Sequence, residues 1–404
     1  MRILQVSDFF LPSLGGVERV LLELGRRLRK RGHVVHVLTF RWQPHWPYRE
    51  VVEELPVTRY PIGRSVFIYP TAIAGGRRAF RQLWGQADYD LLHFHLTLSA
   101  LGPLLAKESN PVPKLFTFYG PWAEEMAVEL RGKPLPCGLR QLYRGYVWGL
   151  CQMLRMMQRW VLQCCDATVV LSQYSRQQAT ALLGQENPEP QLIPGGVDIE
   201  RFRPAEDKRT VRQRLGLPVD RFLLLTVRRL VPRMGLENLV RAFAVLRRQD
   251  DAWHLIIGGQ GRLMEALRAQ VQEFGLEGQV TFTGFIPEDD LPAYYQAADL
   301  FVVPTVALEG FGLITLEALA SGLPVVGTPV GSTKEILARF DARFLAWGTQ
   351  ASDLAEKIVE ARHILQQEDI GSRARSFAVT YYNWDSIVDR YEDLYQQLCA
   401  PRQG

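Results

Sequence analysis

Short runs rich in leucine and β-branched residues alternate along the chain with segments whose apolar residues recur every three or four positions, the pattern of parallel βαβ units. The strand-like runs fall at 2–6, 34–40, 91–94, 114–118 and 167–171, and again at 222–227, 254–257, 279–283, 300–303 and 324–327. Between the two series lies IPGGVDIERFRPAEDKRT (193–210), whose glycine, proline and charge suit an interdomain linker. The pattern predicts an α/β protein of two Rossmann-like, doubly wound domains, 1–198 and 207–379, facing each other across a cleft.

Size agrees with that division: 404 residues, 47% of them apolar, exceed what one core normally holds. The most apolar stretch, 91–106, is broken by His93, His95 and Pro103, so no membrane-spanning helix is expected. The start, MRILQVSDFF, reads as a first strand and not as a secretory signal, which points to the cytoplasm. Five cysteines (Cys137, Cys151, Cys164, Cys165 and Cys399) form no CxxC pair and read as reduced and structural. The net charge of +4 is unevenly spread, about +6 over residues 1–200 and about −2 over the rest, so an anionic partner would favour the first half.

Ligands of such sheets sit outside the carboxyl ends of the strands, where turns lead into helix N-termini. Three of those turns are rich in glycine: PSLGGVERV with Gly15 and Gly16, GGQGR with Gly259 and Gly261, and EGFG at 309–312. A glycine there lets a backbone N–H approach a phosphate, although tight turns also require glycine for geometry alone. In the third, Glu309 stands just before a predicted helix and Glu317 inside it, roughly 10 Å further along the axis. That span can bracket a diphosphate held at the helix start, one carboxylate accepting from sugar hydroxyls and the other from ribose. Otherwise Glu309 is a helix cap and Glu317 a solvated helical glutamate.

Two glutamates separated by seven residues within EGFGLITLEALASGLPVV resemble the signature of the retaining glycosyltransferases of family 4. The likeness extends through VVLSQYSRQ (169–177), IPGGVDIERFRP, LLLTVRRLVPRMGLENL and FTGFIPEDDLPAYYQAADLFVVP. It implies the GT-B fold, with a nucleotide diphosphate sugar, built on UDP or GDP, held by the second domain and the acceptor by the first. It also implies that a last helix, at about 380–404, returns to complete the first domain. Carried over by position, Glu309 meets the donor sugar beside Gly310, Phe311, Gly312 and Leu313, and Glu317 binds the ribose. Arg229 neutralises the diphosphate, Gly284, Phe285 and Ile286 line the nucleobase pocket, and Gly16 approaches the phosphate from the first domain. Arg233 either shares the work of Arg229, with Arg228 as a third charge, or is a solvated loop cation. The resemblance implies transfer of a hexose with retention, without metal or other cofactor, to a hydroxyl of a lipid-linked acceptor or growing glycan; the inner face of the plasma membrane is the expected place if the basic faces described below meet lipid.

Two positions depart from the family pattern. Tyr119 stands where a histidine is usual, and Met234 replaces the lysine before Gly235. Tyr119 either tunes donor choice or marks reduced activity, since a phenol lacks the near-neutral proton chemistry of imidazole. A catalytically weak nucleotide-sugar-binding subunit of a glycan synthase therefore stays open as the alternative. A nucleotide-sugar epimerase is disfavoured because its catalytic histidines and acids have no counterparts here. His93 and His95 end a strand and either touch acceptor or serve structure.

The segment 139–161 reads as one helix with Leu139, Leu142, Tyr143, Tyr146, Val147, Leu150, Leu154, Met157 and Val161 on the core side. Arg140, Arg144, Arg155 and Arg159 flank Trp148 on another face, and the first helix adds Arg19, Arg26, Arg27, Arg29, Lys30 and Arg31. These are either ordinary solvated faces or a contact with an anionic membrane. Nucleic acid is not expected, because the charge is modest and no nucleic-acid motif accompanies it.

Overall fold

A computed structural model describes residues 1–12, 15–64, 67–131, 140–184 and 186–400. The chain forms two compact units, Met1–Gly195 together with the segment from Trp384, and Gly196–Asn383.

The first unit is built on eight strands: β1 (Arg2–Ser7), β2 (Val34–Arg41), β3 (Arg49–Val52), β4 (Leu55–Pro61), β5 (Leu91–Phe94), β6 (Lys114–Phe118), β7 (Ala167–Val170) and β8 (Gln191–Leu192). Their order is β3-β4-β2-β1-β5-β6-β7-β8, parallel except for the β3/β4 hairpin. The pattern reading does not contain that hairpin. Its two-residue turn places Glu53 and Glu54 at positive φ (49° and 66°), a conformation normally signalled by Asn or Gly. Glutamate gives no such signal.

The second unit carries β9 (Phe222–Val227), β10 (Trp253–Gly258), β11 (Val280–Gly284), β12 (Leu300–Val303) and β13 (Val325–Gly327). All are parallel, in the order β11-β10-β9-β12-β13, and these central strands read as continuous apolar runs because helices cover both faces. The order reverses between β9 and β12, so the turns after these two strands flank a topological switch point.

The helix Trp384–Cys399 packs within the first unit. Trp384, Tyr391 and Tyr395 are buried, Tyr395 OH pairs with His93 Nδ1 at 2.8 Å, and Thr117 Oγ1 takes the other ring nitrogen at 2.7 Å. Its acids meet the basic first helix, Gly16–Lys30: Asp389 and Glu392 bind Arg31, and Glu392 also binds His33 at 2.7 Å. On the helix itself Arg26 pairs with Glu53 and Arg27 with Glu23, so part of the positive charge expected there is neutralised inside the unit.

The helix Arg140–Gln163 exists, but its buried face is rotated by roughly 60° from the expected one. Leu142 and Tyr146 are 73% and 63% exposed, whereas Cys151 and Gln158 are buried. Gln158 is the cause: its Oε1 accepts from Trp122 N at 3.1 Å and its Nε2 donates to Gly120 O at 3.0 Å. Two hydrogen bonds to a neighbouring loop hold a polar side chain where hydrophobicity alone would not place it. Arg155 is paired with Glu124 at 2.7 Å. Arg144, Trp148 and Arg159 are exposed, while Leu139 and the side chain of Arg140 lie outside the described residues. Among the described residues no helix is long and apolar enough to cross a membrane.

Candidate functional site

In the second unit the loop after β12 and the loop after β9 are locked together. Gly235 has φ 71°, and a Cβ there would stand 1.8 Å from Pro304 O, so only glycine permits the approach. Val306 N donates to Arg233 O at 2.9 Å, and Arg233 Nη1 donates to Leu308 O at 2.6 Å. Leu308 itself is held at φ 57°, a strained conformation for leucine, immediately before Glu309. Met234 is buried in the core, so the missing lysine position does not project into the loop.

Glu309 is buried and its Oε2 accepts from Arg228 Nη2 at 2.6 Å and from Thr305 Oγ1 at 2.9 Å. Arg228 Nη1 reaches Thr305 Oγ1 at 2.7 Å. The cation paired with Glu309 is therefore Arg228, while the side chain of Arg229, the residue matched by position to the family arginine, is exposed. Adjacent residues at a strand end point to opposite faces, and sequence does not say which of two arginines turns inward.

Glu309 is anchored through its backbone as well. Ser332 N, in the first turn of the helix Gly331–Asp341, donates to Glu309 O at 3.1 Å, and a Cβ on Gly331 would stand 2.1 Å from that oxygen. The helix Leu313–Ala320 begins at Gly312, which has φ 71° and supplies no side-chain cap. Its first amides face a place where a Gly312 Cβ would meet Thr315 Oγ1 at 3.4 Å and both Glu309 Oε1 and Thr333 Oγ1 at 3.6 Å. Thr315 Oγ1, Ser332 Oγ and Thr333 Oγ1 are buried and have no hydrogen-bond partner among the described residues. Each such group costs roughly 1–3 kcal/mol until something pairs with it. Two helix N-termini, the hydroxyls of Thr315 and Thr333 and one carboxylate oxygen thus converge beside Gly312. Because Arg228 balances Glu309, an anion placed there meets no net repulsion.

Glu317 is 4% exposed and its Oε2 accepts from the buried Tyr295 OH at 2.8 Å, so it is not a solvated helical glutamate. Phe311 is buried and packs on Tyr382 at 6.3 Å. Gly259 and Gly261 have a packing requirement: a Cβ would stand 2.0 Å from Arg228 O and 2.4 Å from Leu230 O respectively. They bring the β10 turn against the segment that carries Arg228. Gly284 adopts φ 69°, Phe285 is 66% exposed and Ile286 is buried against Gly258. The hydroxyls of Thr305, Thr315 and Thr333 and the phenol of Tyr295 carry no motif that would single them out in sequence.

In the first unit, Gly15 N donates to Glu18 Oε2 at 2.8 Å, so the helix that starts at Gly16 is capped by its own carboxylate. Tyr119 OH is 2.8 Å from His95 Nδ1. Burial lowers the pKa of His95 to about 3 and that of His93 well below its usual value, and both are neutral near pH 7. Among the described residues no group of three or more His, Cys, Asp or Glu is placed to hold a metal ion. Cys151, Cys164, Cys165 and Cys399 are free, and Cys137 lies outside the described residues.

Two α/β units on largely parallel sheets, with an anion-suited loop at a switch point in the second, make up the GT-B fold. The chain shares its fold with sucrose-phosphate synthase from Thermosynechococcus elongatus, at a TM-score of 0.82 and 24% identity over 99% of both chains. Residues 14–201 match the family described as Glycosyltransferase Family 4, and residues 207–377 that described as Glycosyl transferases group 1. The chain belongs to glycosyltransferase family 4. It is 27% identical to the GDP-mannose-dependent alpha-(1-6)-phosphatidylinositol monomannoside mannosyltransferase of Mycobacterium tuberculosis, over 97% of each chain. It is 28% identical to the D-inositol 3-phosphate glycosyltransferase of Thermomonospora curvata, over 94% of this chain and 90% of that one.

Proposed function

We propose that this protein transfers a hexose from a nucleotide diphosphate sugar, with GDP-mannose the first donor to test, to a hydroxyl of a lipid-linked acceptor with retention of anomeric configuration. The observation that carries the donor site is the group of unpartnered hydroxyls beside Glu309 Oε1 at the start of the helix Leu313–Ala320. Those hydroxyls and the uncapped amides suit phosphate oxygens, and Glu309 Oε1 suits a sugar hydroxyl. Glu317 takes the ribose, with Tyr295 holding its carboxylate in place. Arg229 and Arg233 offset the charge that develops on the departing diphosphate. Gly284, Phe285 and Ile286 border the base.

In this reading the leaving group is stabilised by arginines and helix amides, with no metal required. The relatives named above support a GDP-linked donor and an inositol-containing acceptor by their own activities. Incubation of the purified protein with GDP-mannose or UDP-glucose and phosphatidylinositol vesicles, with and without EDTA, tests all of this. Proton NMR of the product gives the anomeric configuration. An inverted product, or turnover abolished by EDTA, overturns the mechanism.

Access to a lipid acceptor is ascribed to the exposed side of the helix Arg140–Gln163, where Leu142, Tyr146, Trp148, Met156 and Trp160 accompany Arg144 and Arg159. Apolar and aromatic side chains bordered by arginine fit the headgroup region of an anionic bilayer. Flotation with anionic vesicles at low salt tests it, and an absence of binding removes it.

A catalytically weak binding subunit is the second reading, favoured by Tyr119, whose hydroxyl is engaged by His95. It predicts donor binding without turnover, and turnover restored by Tyr119→His.

A further inference from the structure

The two histidines at the end of β5 differ in how their ring nitrogens are used. His93 is fully buried with both nitrogens occupied, Nδ1 by Tyr395 OH at 2.8 Å and Nε2 by Thr117 Oγ1 at 2.7 Å, so it serves the packing of the unit. His95 is equally buried, but its Nδ1 lies 2.8 Å from Tyr119 OH while its Nε2 has no partner among the described residues. The His95 ring is held by that of His93, with centroids 4.1 Å apart, and His95 N donates to Val6 O at 2.9 Å. His95 directly follows β5 and Tyr119 directly follows β6, so the pair stands at the carboxyl ends of adjacent parallel strands, next to the switch in strand order between β1 and β5. That is the side of an open sheet on which ligands bind, and Tyr119 is only half-buried there.

A neutral imidazole carries one ring proton, and burial holds His95 in that form. With the proton on Nε2, a buried N–H faces no acceptor and the phenol must commit its own O–H to Nδ1. With the proton on Nδ1, His95 donates to the phenol oxygen, and what stays unpaired on Nε2 is a lone pair. A buried donor without a partner is rarer than an unfilled acceptor, which favours the second arrangement. The consequence falls on Tyr119. Its oxygen is fixed by an incoming hydrogen bond and its O–H is free to donate. Burial also keeps the phenol pKa well above the usual value, so the proton is in place near pH 7. We propose that His95 is a positioning residue, whose Nδ1–H holds the Tyr119 oxygen and so presents the phenol O–H as a fixed donor to an oxygen of the bound substrate. The hydrogen bond between the two residues is then part of the working site and not a mark of lost activity. This rests on the reading of the protein as an active transferase.

Long-range proton–nitrogen NMR on the full chain, with nitrogen-labelled histidine at pH 7, reads which ring nitrogen carries the proton. The His95 signals are those lost in His95→Asn. A proton on Nδ1 is expected, and a proton on Nε2 overturns the proposal. Transfer from GDP-mannose in the presence of phosphatidylinositol vesicles supplies the second readout. Tyr119→Phe and His95→Gln are each expected to lower kcat by about tenfold and to leave KM for the donor within about threefold. His95→Asn, whose amide nitrogen takes the place of Nδ1, should keep kcat within about threefold of the wild type. In the double variant of His95→Gln with Tyr119→Phe the two losses should not add, because both remove the same donor. A residue that only packed would lower the melting temperature in His95→Asn and His95→Gln alike and would not separate their kcat values. Equal kcat in those two variants, or additive losses in the double variant, overturns the positioning role. A wild type that binds GDP-mannose without turnover overturns the transferase reading, and the position of the proton on His95 still decides the tautomer.

Discussion

Arg228 and Glu309, 81 residues apart in sequence, are joined by a 2.6 Å hydrogen bond from Nη2 to Oε2, and Thr305 closes the triangle with both. The pair does two things. It fixes the rotamer of the carboxylate at the loop expected to meet the sugar, and it cancels the charge that would otherwise repel a diphosphate.

Replacing Arg228 by leucine should leave a buried carboxylate without its cation. Unfolding in urea is expected to show a loss of roughly 3–5 kcal/mol. Arg229→Ala, at an exposed position, should change stability by less than about 0.5 kcal/mol. Equal effects at the two arginines would contradict the assignment of the inward residue.

Glu309→Gln keeps an oxygen for Arg228 and Thr305, removes the charge and turns the other oxygen into an NH2 donor. Thermal-shift affinity for GDP should stay within about threefold, while single-turnover transfer falls by about 10²–10³. Undiminished turnover would take Glu309 out of the chemistry.

The locked loops lead to a comparison of two glycines. Gly235→Ala places a methyl group 1.8 Å from Pro304 O and must displace the 304–309 loop, whereas a Cβ on Gly284 meets nothing within 4 Å. Gly284→Ala should therefore cost only the strain of a positive φ, about 1 kcal/mol. Gly235→Ala should cost more and also abolish donor binding. Calorimetric unfolding with nucleotide titration separates the two.

Asp8 gives a pH dependence of definite sign. Its carboxyl is pushed from 3.8 up to about 6 by burial, partly offset by the Ser99 hydrogen bond. Between those values the folded chain keeps a proton that the unfolded chain has released, so this contribution to stability is present at low pH and is lost as pH rises through 6. Asp8→Asn should match the wild type near pH 3 and be more stable above pH 7, by up to ~3 kcal/mol. Urea titrations from pH 4 to 8 would read this, and a difference independent of pH would refute it.

The parts legible in the sequence were those written in periodicity and glycine. The two parallel sheets followed from runs of leucine and valine, and the loop at Glu309 from glycines that only a positive φ or a close approach requires. What escaped has a common physical cause: a choice between neighbours made by tertiary contact. Arg228 turns inward because Thr305 and Glu309 wait on that side, a pairing that no sequence pattern marks. The helix Arg140–Gln163 rolls about its axis because Gln158 finds two backbone partners. The β3/β4 hairpin hid behind a turn of two glutamates. Glycines 259 and 261 were conspicuous in sequence, yet the structure gives each a packing reason through the Arg228 and Leu230 carbonyls.

The helix Trp384–Cys399 belongs to the unit that begins at Met1, with the whole of Gly196–Asn383 translated in between. During synthesis the first unit must therefore wait for its last helix, and at typical elongation rates that delay is roughly 10–40 s. Throughout it, the pocket for Tyr391 and Tyr395 and the unpaired Arg31 and His33 stay open to whatever the nascent chain meets. The second unit, continuous in sequence, faces no such wait, so on the ribosome the domain encoded later is the one able to finish first.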